Sequence, residues 1–180
     1  MNLQDSFEAL KVPQFNTSDI CEHLDTLKDL AAECDHVTEL GFRTGTSFCA
    51  FLMGQPKKLV TYDVVIPESS KKRLTELRGN TFVEFHQANT LEVEIEETDL
   101  LFIDTLHTYS QLKRELFMHG NKARKYLAFH DIETFGKKSE DGTVPGLQMA
   151  VIEFVEENPH WQMYMHLKNN NGILVLKRHN

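Results

Sequence analysis

The sequence predicts an α/β fold, a doubly wound sheet of mostly parallel strands with one reversed strand near its C-terminal end. Three observations carry this prediction. Short apolar strand candidates alternate with amphipathic helical stretches along most of the chain. One candidate, Asp99-Leu100-Leu101-Phe102-Ile103-Asp104, is apolar without alternation, as a central strand covered on both faces requires. The last stretch, Trp161 to Lys177, breaks the rhythm. It reads as an antiparallel hairpin around Asn169-Asn170-Asn171-Gly172, residues that tolerate positive φ.

The elements follow in order. Asn16-Thr17-Ser18-Asp19 offers N-caps to a first helix, Ser18 to Glu33, in which Ile20, Leu24, Leu27, Leu30 and Ala31 recur at helical spacing. Asp35 to Gly41 reads as a short strand ending at glycine, and Thr46 to Met53 as a helix stopped near Gly54 and Pro56. Lys58 to Asp63 is a second strand, and Pro67 to Leu77 a helix with proline in its first turn. Thr81 to His86 is a third strand, followed by the acidic connection Leu91 to Glu96. After the fourth strand, Tyr109 to Lys122 carries Leu112, Leu116 and Phe117 on a helical stripe. Tyr126 to His130 is a fifth strand, and a loop dotted with Gly136, Gly142 and Gly146 leads into a helix from Val144 to Glu157. On that helix Leu147, Val151, Ile152 and Val155 share one face. No repeat, low-complexity tract or Pro/Gly-rich linker divides the chain, so residues 1–180 are expected to form one domain, with 1–16 as an N-terminal extension.

Composition narrows the function classes. Hydrophobic residues make up 41% and charged residues 26% of the 180, ordinary values for a globular chain. No apolar run approaches the ~20 residues of a membrane helix. Met1 to Ala9 lacks the basic start and apolar core of a secretory signal. Neither a membrane nor an export route is expected. With 19 Lys and Arg against 27 Asp and Glu, the net charge of −8 also argues against nucleic acid as a partner. The one compact basic cluster, Lys71-Lys72-Arg73, reads as the solvated start of a helix. Cys21, Cys34 and Cys49 are odd in number and far apart, which suits buried free thiols and a reducing, cytoplasmic location.

In open α/β sheets ligands sit beyond the carboxyl ends of the strands. The first strand ends in Glu39-Leu40-Gly41-Phe42-Arg43-Thr44-Gly45-Thr46-Ser47. Gly41 allows a sharp turn, and Gly45 allows the backbone to approach a ligand that a Cβ would block. The dinucleotide string G-x-G-x-x-G is missing from the chain. A carboxylate ahead of the first glycine repels a phosphate and suits an ammonium group. Asp63, ending the second strand about 20 residues further on, is placed to accept hydrogen bonds from ribose hydroxyls. A ligand with a ribose and an amino-acid end, and no phosphate, describes S-adenosylmethionine.

The E-x-G-x-x-x-G string together with Asp63 resembles the first motifs of the class I S-adenosylmethionine-dependent methyltransferases. The resemblance runs from Asp19 to Lys177 and implies their Rossmann-like seven-stranded sheet with a reversed last strand. It also implies S-adenosylmethionine as cofactor, with Glu39, Gly41, Gly45, Thr46, Asp63, Asn89 and Asp104 as its binding residues. The chain departs from the pattern twice. Arg43 stands where the first motif commonly has its middle glycine. Gln87-Ala88-Asn89-Thr90 stands where members often place an acid to read the adenine amino group, a role Asn89 would fill through its side-chain carbonyl.

Asp99 to His107, followed by Phe129-His130-Asp131, looks most like the macrocin O-methyltransferases and the cephalosporin-hydroxylase-like proteins grouped with them. Asp104 and Asp131 are carboxylates at two neighbouring strand ends, which suits a hard cation such as Mg²⁺. Such a cation chelates adjacent acceptor oxygens and lowers the pKa of a hydroxyl. His107, three residues after Asp104, is a candidate general base. In the relatives this chain resembles, a D-x-x-H string supplies one metal ligand and the base; Asp104 and His107 match it, and Asp131 matches the second metal-binding carboxylate. Asp104 as a cap for the following helix is the competing reading.

Regular pleating points His130 away from Asp131, and Glu133 is an alternative ligand. His23, His36 and His160 stand apart from the strand-end carboxylates of the expected site and read as packing or surface residues. The loop from Glu133 to Gly146, with Lys137, Lys138, Glu140 and Asp141, reads as a mobile lid or an ordinary surface loop. These readings together lead to an S-adenosylmethionine-dependent O-methyltransferase acting on a small hydroxylated acceptor such as a sugar. Acceptor choice would lie with the lid, the first helix or a second copy in a homodimer. Two alternatives stand beside it: a non-haem iron oxygenase with His107, His130 and Asp131 as facial triad, and a non-catalytic cofactor-binding module.

Overall fold

The structure, a computed structural model, describes residues 2–12 and 19–179, so the caps expected at Asn16, Thr17 and Ser18 lie outside the described residues. A helix the sequence reading did not anticipate, α1 (Leu3–Leu10), is capped by Asn2, whose side chain accepts from the Asp5 amide at 2.8 Å, and it buries Phe7. The expected first helix divides into a 3-10 turn, Cys21–His23, and α2 (Leu24–Ala32). Its stripe is as read: Ile20, Leu24, Leu27, Leu30 and Ala31 are all buried.

The strands are β1 (His36–Leu40), β2 (Lys58–Asp63), β3 (Phe82–Gln87), β4 (Thr98–Ile103), β5 (Ala123–His130), β6 (Trp161–Leu167) and β7 (Ile173–Arg178). They form one seven-stranded sheet in the order β3-β2-β1-β4-β5-β7-β6. β1 to β5 are parallel, and β7 runs antiparallel to both β5 and β6, making it the reversed strand. Strand order turns back between β1 and β4, and the cavity described below opens there, at the carboxyl ends.

Helices α3 (Thr46–Gly54), α4 (Glu68–Leu77), α5 (Tyr109–His119) and α6 (Leu147–Glu157) complete the two layers. Alternate residues of the central strands feed two cores. Leu100 and Phe102 join Leu24, Leu27, Phe48 and Phe51 on one face, while Leu101 and Ile103 join Leu112, Leu116, Val151 and Phe154 on the other. All three cysteines are free and buried, and burial pushes the Cys34 thiol up to about 12 and the Cys49 thiol to about 11. Among the described residues no helix is long and apolar enough to cross a membrane.

Two helical faces differ from the sequence reading. On α5 the buried positions are Leu112, Glu115, Leu116 and His119, and Phe117 is 90% exposed. On α6 they are Leu147, Ala150, Val151 and Phe154, and Ile152 points outward. Both sets follow the same i, i+3, i+4, i+7 spacing. On α5 counting apolar residues alone misplaced the face, because the helix buries a carboxylate and an imidazole where apolar residues were expected; on α6 Ala150 and Phe154 take the buried positions in place of Ile152 and Val155. α5 also ends early, at a 3-10 turn over Gly120–Lys122, and α6 begins only after Pro145 and Gly146.

Candidate functional site

The carboxyl ends of β1 to β5 open onto a cavity of about 640 Å³, within the range of small-molecule sites. Its lining includes Gly41 after β1, Asp63 at the end of β2, Asn89 after β3, Asp104 and His107 after β4, and Asp131 after β5. Six residues singled out in the sequence therefore meet at one edge of the sheet.

Gly41 has φ 97°, and a Cβ there would lie 1.9 Å from the Asp104 carbonyl oxygen. The ends of β1 and β4 are thus joined so tightly that only glycine fits. Asp63 holds the loop that follows. Its Oδ2 accepts from the Phe42 and Arg43 amides, both at 2.7 Å, and its Oδ1 from Val65 at 3.1 Å. Asn89 Oδ1 accepts from the Leu91 amide at 3.1 Å, and its Nδ2 donates to Glu92 at 3.0 Å.

Three expected cofactor residues do not reach this cavity. Glu39 is fully buried: one carboxylate oxygen accepts from Ser47 Oγ and the other from Thr61 Oγ1 at 2.7 Å. Strand alternation turns it into the sheet–helix layer beside α3, where burial raises its carboxyl to about 8 against the opposing effect of the two hydroxyls. Gly45 serves packing. It has φ 83°, and a Cβ would press on Leu74 at 2.5 Å and Phe42 at 2.8 Å. Thr46 faces a small recess that shares Asp19, Gly41, Arg43 and Asp104 with the cavity.

The densest chemistry lies after β4 and β5. His107 Nε2 is 2.9 Å from Asp131 Oδ2 and 3.4 Å from Asp104 Oδ1, and its Nδ1 is 3.0 Å from Glu140 Oε2. Its ring stacks on Phe135 at 4.8 Å with an interplanar angle of 4°. Burial opposes the charged form of His107, but Asp104 and Asp131 outweigh it and hold the imidazole at about 10. Burial would raise the Asp104 and Asp131 carboxyls, but the imidazoles of His107 and His130 hold both below their ordinary range.

His130 corrects the pleating expectation. Asp131 has φ 60°, a left-handed residue that interrupts the strand's alternation, so the two neighbouring side chains converge. His130 Nδ1 lies 3.2 Å from Asp131 Oδ2 and 3.5 Å from Asp104 Oδ1, while its Nε2 donates to the Asn170 carbonyl at 3.1 Å. Burial again opposes the charge, and the two carboxylates again raise it, to about 10. The metal-capable group among the described residues is Asp104, His107 and Asp131 rather than the His107, His130 and Asp131 of the iron oxygenase reading.

Glu133 is also outside the cluster. It pairs with His166 at 2.8 Å. His23 is fully buried, edge-on to His130 with ring centroids 5.8 Å apart. Asp104, His107 and Asp131 can each offer one ligand atom within 4.8 Å of the others, and Asp131 Oδ1 is buried without a hydrogen-bond partner. This donor set fits a divalent cation.

The loop after β5 is tied down over this cluster. Glu140 donates its amide to the His107 carbonyl at 2.9 Å, and Ser139 Oγ accepts from the Tyr109 amide and donates to the Pro145 carbonyl, both at 3.0 Å. The sequence reading missed Glu115 altogether. Fully buried on α5, it accepts from Thr90 at 2.6 Å, Thr105 at 2.8 Å and Gln111 at 2.9 Å, three cavity-lining side chains. A charged residue between Leu112 and Leu116 was its only sequence signal.

No family model and no curated protein matches this sequence. Solved structures do share its fold. The N-methyltransferase NodS from Bradyrhizobium japonicum WM9, in complex with S-adenosyl-L-homocysteine, is 14% identical and superposes with a TM-score of 0.68, covering 100% of this chain and 99% of that one. An O-methyltransferase from Bacillus cereus, bound to SAH, is 15% identical with a TM-score of 0.68, over 98% and 88% of the two chains. The O-methyltransferase TomG from Streptomyces achromogenes, bound to SAM, is 14% identical with a TM-score of 0.63, over 89% and 81%. At these identities the likeness establishes the architecture. This chain has the seven-stranded fold of S-adenosylmethionine-dependent methyltransferase structures.

Proposed function

We propose that this chain transfers the methyl group of S-adenosylmethionine to a hydroxyl of a small acceptor, such as a sugar. One observation carries the reading: a single cavity joins Asp63 and Asn89 at the β2 and β3 ends to the Asp104–His107–Asp131 cluster at the β4 and β5 ends. The first pair suits a nucleoside, and the cluster suits activation of a hydroxyl. The structural neighbours that bind SAM or SAH, O-methyltransferases among them, support the same class.

In the reaction, an acceptor oxygen forms a bond to the methyl carbon while the carbon–sulfur bond breaks, and its electron pair stays on sulfur as the sulfonium becomes a thioether. The hydroxyl proton passes to Nε2 of a neutral His107, whose Nδ1 is held by Glu140. Phe135 keeps the ring flat against the cavity wall. Asp104 and Asp131 would hold a divalent cation, Mg²⁺ in our reading, which when bound would chelate acceptor oxygens and draw off the carboxylate charge that keeps His107 protonated. The protein mainly aligns its reactants.

Calorimetry with S-adenosylmethionine and S-adenosylhomocysteine tests the reading at its base. We expect saturable binding of both; no heat and no thermal protection with either would refute it. Methyl transfer to a panel of sugars and other hydroxylated compounds then tests the acceptor class, and activity unchanged by chelators would remove the cation.

A further inference from the structure

Helix α5 carries a buried polar stripe that neither end of the cavity accounts for. Gln111, Glu115 and His119 follow one another at four-residue spacing, and Glu115 and His119 are fully buried. Together they hold Thr90, after β3, by two of its groups. Glu115 Oε1 accepts from its hydroxyl at 2.6 Å, and His119 Nε2 donates to its carbonyl at 2.8 Å. Gln111 Nε2 donates to Thr90 Oγ1 at 3.1 Å and to Glu115 Oε1 at 2.9 Å. The second carboxylate oxygen of Glu115 reaches the other way, accepting from Thr105 Oγ1 at 2.8 Å. Thr105 follows Asp104 and stands two residues before His107. One carboxylate thus ties the segment beside Asn89 to the loop that carries Asp104 and His107.

We propose that Glu115 is a positioning residue for methyl transfer, which through Thr90 and Thr105 fixes the D-x-x-H loop at its working distance from the nucleoside end. The inference rests on the methyltransferase reading and adds a residue outside the cavity wall: Thr90, Thr105 and Gln111 line the cavity, and Glu115 stands behind them. A buried charge adds little to stability that apolar packing would not supply, so folding alone gives no reason for a carboxylate here. Burial raises its carboxyl, and the three side chains that donate to it oppose that rise. Each threonine hydroxyl has one hydrogen and Gln111 Nε2 has two, and all of them are committed to this network. Both threonines are thereby fixed in orientation, and with them the segments they stand on. In-line transfer needs sulfur, methyl carbon and acceptor oxygen aligned, and a misplacement of about 1 Å costs on the order of 100-fold in rate. An anchor shared by two strand ends meets that demand at a point no ligand touches.

The test is a double-mutant cycle on the full chain with Glu115→Gln, Thr105→Val and the two combined. Glu115→Gln keeps the size of the side chain but turns an amide NH₂ toward one of its donors, and Thr105→Val removes the hydroxyl at constant shape. Turnover is measured with S-adenosylmethionine and the compound that reacts fastest in the panel of sugars and other hydroxylated acceptors, and S-adenosylhomocysteine affinity by calorimetry. We expect each single variant to lose about tenfold or more in kcat, with the acceptor KM and the S-adenosylhomocysteine affinity changed less than about threefold. The retained affinity also shows that the variants are folded. The double variant should be no slower than the slower single one, because both substitutions break the same link. An undiminished kcat in Glu115→Gln, losses that multiply in the double variant, or an equal loss of S-adenosylhomocysteine affinity overturns the positioning role and leaves the methyltransferase reading standing. If the unaltered chain binds no S-adenosylhomocysteine or methylates no compound of the panel, that reading falls and this proposal with it.

Discussion

The imidazole of His107 is gripped between acids from different parts of the chain: Glu140 at 3.0 Å on Nδ1 and Asp131 at 2.9 Å on Nε2. Asp131 comes from the sheet end and is nearly inaccessible, whereas Glu140 comes from the loop after β5 and is half exposed. The ring is therefore held from the solvent side by a residue of the loop and from the other side by a residue of the sheet end.

Glu140→Ala tests this orientation. Losing the acid on Nδ1 leaves His107 free to rotate about its stack on Phe135, and the expected cost is about 10- to 100-fold in the rate of methyl transfer. Binding of S-adenosylhomocysteine should be unchanged. Steady-state kinetics beside calorimetry checks both halves; an unaltered rate would contradict the prediction.

His107 and His130 should stay charged through neutrality in the metal-free protein, since the carboxylates hold both at about 10. Raised imidazole values mean stability that is complete below the ordinary value of 6.5 and is lost as pH rises through about 10. NMR titration of the ring resonances should show no transition near neutrality. His130→Ala leaves two buried acids with one partner fewer, and the expected loss at pH 7 is about 3–5 kcal/mol by denaturant unfolding.

Glu39 produces the opposite signature to a paired acid. Its carboxyl is raised to about 8, so its contribution is fully present below the ordinary 4.5 and disappears as pH climbs through 8. Glu39→Gln keeps hydrogen bonding with Ser47 and Thr61 but removes the titration. The variant's melting temperature should exceed that of the unaltered chain above pH 8, by an amount on the order of a few kcal/mol in stability. The two should converge toward pH 5. Parallel curves across that range would show that the carboxyl does not titrate as buried.

Gly41→Ala should be costly. Both the φ of 97° and the 1.9 Å approach to the Asp104 carbonyl oxygen forbid a Cβ without parting β1 from β4. We expect a loss of about 2 kcal/mol or more. Because Asp104 moves with that carbonyl, ligand affinity should fall as well. Gly79→Ala, where nothing lies within 4 Å of the new Cβ although φ is 59°, gives the comparison for backbone strain alone.

Much of this architecture was legible in the residues. The unbroken run Leu100 to Ile103 marked a strand covered on both faces, and both of its faces are buried in separate cores. Asn170, Asn171 and Gly172 marked the hairpin, and all three have positive φ. Asp63, Asn89, Asp104, His107 and Asp131 were found as polar residues at strand ends, and all five line one cavity. What stayed hidden has a common cause. Periodicity reports where a side chain points only while the backbone is regular and the buried residues are apolar. Asp131 breaks the first condition, bringing His130 round to the acids, and Glu115 and His119 break the second, displacing the expected stripe on α5.

By itself the sequence determined the order of strands and helices, the reversed C-terminal strand and the acids at the strand tips, because hydrophobic spacing and turn chemistry are local properties. Only the tertiary structure decided which of those acids share a space. Glu39 and Asp63 look alike in the chain, each an acid near the end of a strand. One is shut away by Ser47 and Thr61, and the other opens on the cavity. That difference depends on what packs against each face of the sheet, and residues far apart in sequence supply it.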